Sequence, residues 1–205
     1  MTKQITNKRQ QQETLAIAEQ IRRLNALTTS LNAPSNELAQ FKEQAAALAD
    51  KAEALSGESL LPHFNLDAGT NLGNLLPRSL ISGEYNPMAA PVKVVAEGKY
   101  AIGKVTLHKG FEGPSNCAHG AIVAGIFDQV LAVANIIGNV AGFTANLNVD
   151  YLKPTPLEQP LIFKCWTDQI EANKVITKGF CYHEDVLLTK ASGLFIRYRG
   201  QQAKN

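Results

Sequence analysis

The sequence predicts an α+β protein: one antiparallel sheet curved around a single long helix, with a helical pair ahead of it. Three observations carry this. Residues 118–136 are apolar on nearly every side, so a helix there must be enclosed by other structure. On both sides of that stretch the apolar residues alternate with a period of two, as in half-buried strands. The amino-terminal quarter instead repeats its apolar residues every three or four positions, the period of a helix face.

Composition sets the bounds. With 205 residues, 45% of them hydrophobic, the chain can bury one good core and a smaller attachment. Its 20 basic and 18 acidic residues leave a net charge of +2, which gives no signal for nucleic acid or an acidic substrate. Cys117, Cys165 and Cys181 are odd in number and widely spaced, which favours free thiols in a reducing compartment over a disulfide framework. The opening MTKQITNKRQQQ is polar and lacks an apolar h-region, so no secretory signal and a cytoplasmic location are expected. Residues 120–143 have the length of a membrane span. They are interrupted by Asp128, Gln129, Asn135 and Asn139, and a carboxylate in mid-span is costly, so they read as a soluble core helix.

In chain order, Ile17, Ile21, Leu24, Leu27 and Leu31 make the apolar face of a first helix over residues 12–31. Asn32-Ala33-Pro34-Ser35 breaks it, with Ser35 as the expected N-cap of a second helix. That helix carries Leu38, Phe41, Ala45, Leu48, Ala52 and Leu55. Residues 1–56 are thus expected to form a helical hairpin that packs on the main domain, or alternatively a dimerisation or partner arm. Residues 57–91, rich in Gly, Pro, Asn and Ser, read as a loop that serves as either a flap or a linker. The main domain follows over 92–198, with a tail over 199–205. A hairpin of Val92–Ala96 and Tyr100–His108 opens it, and strands at 143–152, 160–170, 174–183 and 186–198 follow the helix. Phe143, Ala145, Leu147, Val149 and Tyr151 alternate with Thr144, Asn146, Asn148 and Asp150, the clearest strand signal in the chain. Strict alternation puts Thr144 on the less apolar face, away from the helix.

The chemistry concentrates in Gly110 to Ala121 and in Asp128. A helix beginning near Gly120 offers unpaired backbone N–H groups at its positive dipole end, suited to a developing oxyanion. Gly120 has no Cβ, so a carbonyl can approach its backbone. Asp128 sits among Ile126, Phe127, Val130 and Leu131, where a carboxylate is expensive without a partner or a purpose. His119 has two readings, a hydrogen-bonding residue at the helix start or a direct participant. Gly120 and Asp128 are eight residues apart on one helix, about 12 Å at 1.5 Å per residue. If both act on one carbonyl they come from different chains, and a dimer follows. His63, His108 and His183 show no ligand spacing, so neither zinc nor any cofactor is expected. There is no Gly-x-Ser-x-Gly elbow, phosphate loop or dinucleotide fingerprint; Cys117 is the rival nucleophile.

The segments FEGPSNCAHGAIVAGIFDQVLAVAN, TANLNVDYLKPTPLEQPL and KASGLFI resemble the hotdog-fold thioesterases of the phenylacetate-pathway type. The resemblance covers residues 84–198; the first 83 lie outside its motifs. It implies hydrolysis of acyl-coenzyme A by a homodimer or a dimer of dimers. Asp128 would activate water or attack the thioester, and the Gly120 N–H of the opposite subunit would bind the oxyanion. His119 would help build that site, and Thr144 would be the strand hydroxyl that supports the water or the carboxylate. The family's His-Gly-Gly is His119-Gly120-Ala121 here. Gly113 stands where some relatives carry an asparagine, with Asn116 close by. Gly113 and Asn116 are candidates for substrate contact. Lys153, Lys164, Lys190, Arg197 and Arg199 are the cations available to the phosphates of coenzyme A, with Lys153 and Arg197 foremost. Two other readings use the same residues: a hydratase or dehydratase acting on acyl-coenzyme A, and a non-catalytic acyl-ligand-binding protein.

Overall fold

The computed structural model describes residues 8–59, 61–65, 68–90 and 92–197. Helices α1 (Lys8–Thr28) and α2 (Ser35–Leu55) come first. They are followed by the hairpin β1 (Lys93–Glu97) and β2 (Tyr100–Thr106), then α3 (Gly120–Ile137). Strands β3 (Gly142–Tyr151), β4 (Pro160–Glu171), β5 (Lys174–His183) and β6 (Val186–Arg197) complete the chain. All six strands form one antiparallel sheet in the order β1-β2-β4-β5-β6-β3. This is the predicted hotdog architecture, a sheet wrapped around a central helix.

The apolar character of α3 is answered by that sheet. Ile126, Phe127, Val130 and Leu131 are fully buried, each contributing about 1.5–3 kcal/mol. The Phe127 ring meets Phe163 of β4 edge to face at 4.9 Å. By length and hydropathy α3 could cross a bilayer, yet one face of it, from Val123 to Asn135, is buried in protein. One buried polar residue pins it in place. Asn135, with no exposed surface, accepts hydrogen bonds from Thr167 at 2.9 Å and Thr177 at 2.6 Å, which fixes the helix against β4 and β5.

Two parts of the chain depart from simple periodicity. Residues 68–90 pack onto the domain: Ser82, Ala89 and Ala90 are buried, and Leu72 and Ile81 lie against the core. Asn71 Oδ1 accepts from the N–H groups of Gly73 and Val94, which ties this segment to β1. The helical pair is attached more lightly. On α1 only Ala18 is buried, and Arg22 donates to the carbonyls of Glu84 and Asn86. On α2 no residue is buried, so the stripe of Leu38, Phe41, Leu48 and Leu55 faces outward. Ser35 does not cap α2; the cap position falls on Pro34, whose fixed φ of −53° ends the preceding turn without a side-chain acceptor. Residues 199–205 lie outside the described residues.

Candidate active site

Two places on α3 define the site, and each has a local cause. The first is its amino terminus. The loop ahead of it is closed by Gly113 N–H donating to Cys117 O and by Cys117 N–H donating to Pro114 O, both at 2.9 Å. Asn116 takes a φ of 58° at the tip, and its N–H donates to Glu112 Oε1 at 2.6 Å. A Cβ on Gly113 would stand 2.8 Å from the His119 Cα, so this glycine is the space into which His119 folds. His119 is the N-cap: its N–H donates to Phe111 O at 2.8 Å, and its Nδ1 accepts from the Ala121 N–H at 3.0 Å. Among the described residues the Gly120 N–H has no acceptor, as expected for the first residue of a helix.

Beside Gly120 stands a residue that sequence reasoning missed. The Tyr151 hydroxyl donates to Gly120 O at 2.8 Å, and its ring lies 3.3 Å from where a Gly120 Cβ would be. Burial pushes the Tyr151 phenol above its usual value, so it stays a donor. The only sequence signal for it is its place at the end of the alternating strand. Gly120, Ala121, Tyr151, Lys153, Cys117 and Pro114 line part of a cavity of about 490 Å³.

The second place is Asp128. Its neighbours Phe127 and Val130 are fully buried, but Asp128 itself is only half-buried, on the side of α3 that faces edge strand β3. Thr144 Oγ1 donates to Asp128 Oδ1 at 2.7 Å. Strict alternation puts Thr144 on the outer face, and a β-bulge reverses that. Thr144 pairs with Phe195 and Asn146 with Leu194, so Ala145 is an extra residue. It shifts the parity and places Thr144 on the same face as Leu147 and Val149, towards the helix.

The remaining candidates are scattered. Lys153 lines the cavity, whereas Arg197 pairs opposite Gly142 at the other end of β3. Nine residue steps separate the two ends of that strand, about 30 Å at 3.3 Å per step. Lys164 lies over the Tyr100 ring, 4.1 Å from its centroid, and Lys190 pairs across from Asp150. Arg199 lies outside the described residues. Burial raises the Cys165 thiol well above its usual range and the Cys181 thiol to about 12, so neither ionises near neutrality. Cys117, half-exposed at the cavity, is the thiol left for chemistry. His108 accepts from the Gly110 N–H, and its pKa is lowered first by burial and then by Arg22. His183 Nδ1 lies 3.0 Å from Pro160 O, and His63 contacts Arg78. Among the described residues no three His, Cys, Asp or Glu side chains converge as metal ligands would.

Comparison with known proteins agrees with this fold. No family model matches the chain. It is 36% identical over 88 residues to an acyl-coenzyme A thioesterase, THEM4, of Xenopus laevis, a match covering 42% of this chain and 40% of the relative. THEM4 of Mus musculus is 33% identical over 88 residues, covering 42% of this chain and 38% of that protein. The match thus spans about two fifths of the length of these curated relatives. Among solved structures, a thioesterase superfamily protein superposes with a TM-score of 0.77 at 26% identity, over 89% of this chain and 94% of that one. The E. coli PaaI protein from the phenylacetic acid degradation operon shares the fold, with a TM-score of 0.51 at 13% identity over 54% of this chain and 82% of its own. The whole fold is thus similar to that of a thioesterase superfamily protein, and 88 residues of the sequence are similar to acyl-coenzyme A thioesterases.

Proposed function

We propose that the protein hydrolyses acyl-coenzyme A thioesters to free acid and coenzyme A, as a homodimer with two composite sites. The observation that carries this reading is the separation within one chain of a carboxylate held by a hydroxyl, Asp128 with Thr144, from an unpaired helix-terminal N–H, Gly120. Each is half of an acyl-transfer site. The names of the curated relatives favour the same substrate.

Strand β3 supplies the means of joining the halves. It is an edge strand of ten residues, with Phe143 and Tyr151 exposed, and so long an open edge needs cover. Antiparallel pairing of two such edges about a twofold axis sets the Thr144 end of one strand beside the Tyr151 end of the other. Asp128 then approaches Gly120 of the partner subunit. The same operation carries Arg197 towards Lys153 of the partner subunit, so cations that are far apart in one chain gather at one entrance for the coenzyme phosphates.

Thiolate departs readily because its pKa of about 8.5 makes the anion tolerable near neutrality. A base or nucleophile and one oxyanion donor therefore suffice, without a dedicated acid. The Thr144 hydroxyl fixes one Asp128 oxygen; the other is left to take a proton from water or to attack the carbonyl. The Gly120 N–H receives the charge that develops on the carbonyl oxygen. A hydratase would want a second acid or base opposite Asp128. His119, the obvious candidate, uses Nδ1 to accept the Ala121 N–H.

The test is a panel of short, long and aromatic acyl-coenzyme A esters, with Asp128→Asn run alongside. Wild type is expected to turn over at least one ester, and the variant to fold but lose nearly all activity. Turnover in Asp128→Asn close to wild type would remove the carboxylate from the mechanism.

A further inference from the structure

We infer that Ile81, carried by the irregular segment between α2 and the sheet, is the residue that sets how long an acyl chain the site accepts. The inference deepens the thioesterase reading and rests on it. Around Asp128 the uncovered side of α3 is built of small residues, Ala121, Ala124, Gly125 and Ala132, none of them fully buried. Gly125 and Asp128 are three positions apart and therefore neighbours on the helix surface, about 5–6 Å from one another. A chain leaving a carbonyl held at Asp128 would run along the strip that these small residues make. Ile81 closes one side of it: a Cβ on Gly125 would stand only 2.6 Å from Ile81 Cδ1. The isoleucine thus occupies the notch that the glycine leaves, one turn from the carboxylate.

The position of Ile81 is fixed by hydrogen bonds to the helix itself. Ser79 Oγ accepts from the N–H groups of Ile81 at 3.2 Å and Ser82 at 3.4 Å, and donates to Gln129 Oε1 at 3.2 Å. Gln129 is the residue after Asp128, so the segment is registered against α3 at the catalytic turn. A Cβ on Gly83 would collide with the backbone of Pro77 and Ser79, which keeps the turn behind Ile81 tight. A side chain that fills a notch one turn from the reacting carbonyl limits the apolar volume there, and one methylene of such volume changes kcat/KM by about 10- to 200-fold.

The experiment compares the full-length wild type with Ile81→Ala and Ile81→Phe on straight-chain acyl-coenzyme A esters from acetyl to palmitoyl. Ile81→Ala should move the optimum about two carbons longer and raise kcat/KM on the longer esters on the order of tenfold, and Ile81→Phe should move it shorter. Should either variant lose its melting transition, Ile81→Val, which removes one methyl, carries the comparison in the same direction as alanine. Turnover by all forms with superimposable chain-length profiles overturns the assignment of Ile81 and leaves the thioesterase reading standing. No turnover by wild type on any ester overturns both.

Discussion

Asp128 and Thr144 are sixteen positions apart in the chain and 2.7 Å apart in space, and that one contact changes what each residue is. Without it Asp128 is a carboxylate on a helix flank. With it, one oxygen is held and the carboxylate has a fixed orientation, which the proposed base or nucleophile would require. Hydrogen bonds to charged groups contribute about 1.5–3 kcal/mol. Thr144→Val, which keeps the shape and removes the hydroxyl, should therefore lower kcat on the order of tenfold to a hundredfold with little change in KM. Steady-state kinetics with a thermal melt decide it: a normal kcat in a folded variant would show that Thr144 does not orient Asp128. Asp128 was legible in the sequence because a charge in an apolar helix stands out. The orientation of Thr144 was not, because a bulge at Ala145 overrides the alternation on which the sequence reading depends.

At the scale of elements, helix and sheet meet through positions where no side chain fits. Gly179 on β5 is one: an added Cβ would lie 2.5 Å from Cys165 Sγ and 3.2 Å from the Phe127 ring. Neither neighbour has room to move, since both are fully buried. Gly179→Ala should cost about 1–3 kcal/mol by overpacking, with a lowered midpoint in denaturant and an unchanged slope. An unaltered midpoint would mean that the sheet yields at this point. The register of β3 on β6 is an element-scale feature of the same kind. It decides which face of the strand meets α3, and through that face Tyr151 reaches Gly120. The segment over 68–90 has no period and reads as a loop. Its attachment comes from single side chains, Asn71 to Val94 and Ser79 to Gln129, whose partners lie far along the chain.

Across the whole molecule, a composite site makes a demand that a single-chain site does not. Asp128→Asn and Gly120→Pro should each be nearly inactive. Proline is well suited to the first position of a helix, so the second variant removes the N–H and keeps the helix start, provided that the Tyr151 ring, 3.3 Å from the added Cβ, gives way slightly. Mixed and allowed to exchange subunits, the two should form hybrid dimers with one intact site and one doubly defective site. Random pairing would then recover up to about a quarter of wild-type turnover, as expected for a twofold-symmetric dimer. Mixtures that exchange subunits yet stay inactive would place Asp128 and Gly120 in separate functions. The exposed stripe on α2 stands apart from this machinery, with none of its side chains buried against the domain.

The sequence by itself determined the architecture and the central carboxylate: a period of 3.6 in the amino-terminal helices, a period of two in the strands, and one apolar helix carrying an aspartate. These are local properties, dictated by backbone geometry over a few residues, so they can be read without knowing what lies opposite. Only the tertiary structure decided that Thr144 turns inward, that Tyr151 grips the start of α3, and that the stretch before the sheet lies along α3. Each depends on the register or docking of residues dozens of positions apart, where the relevant energy belongs to a contact and not to a pattern.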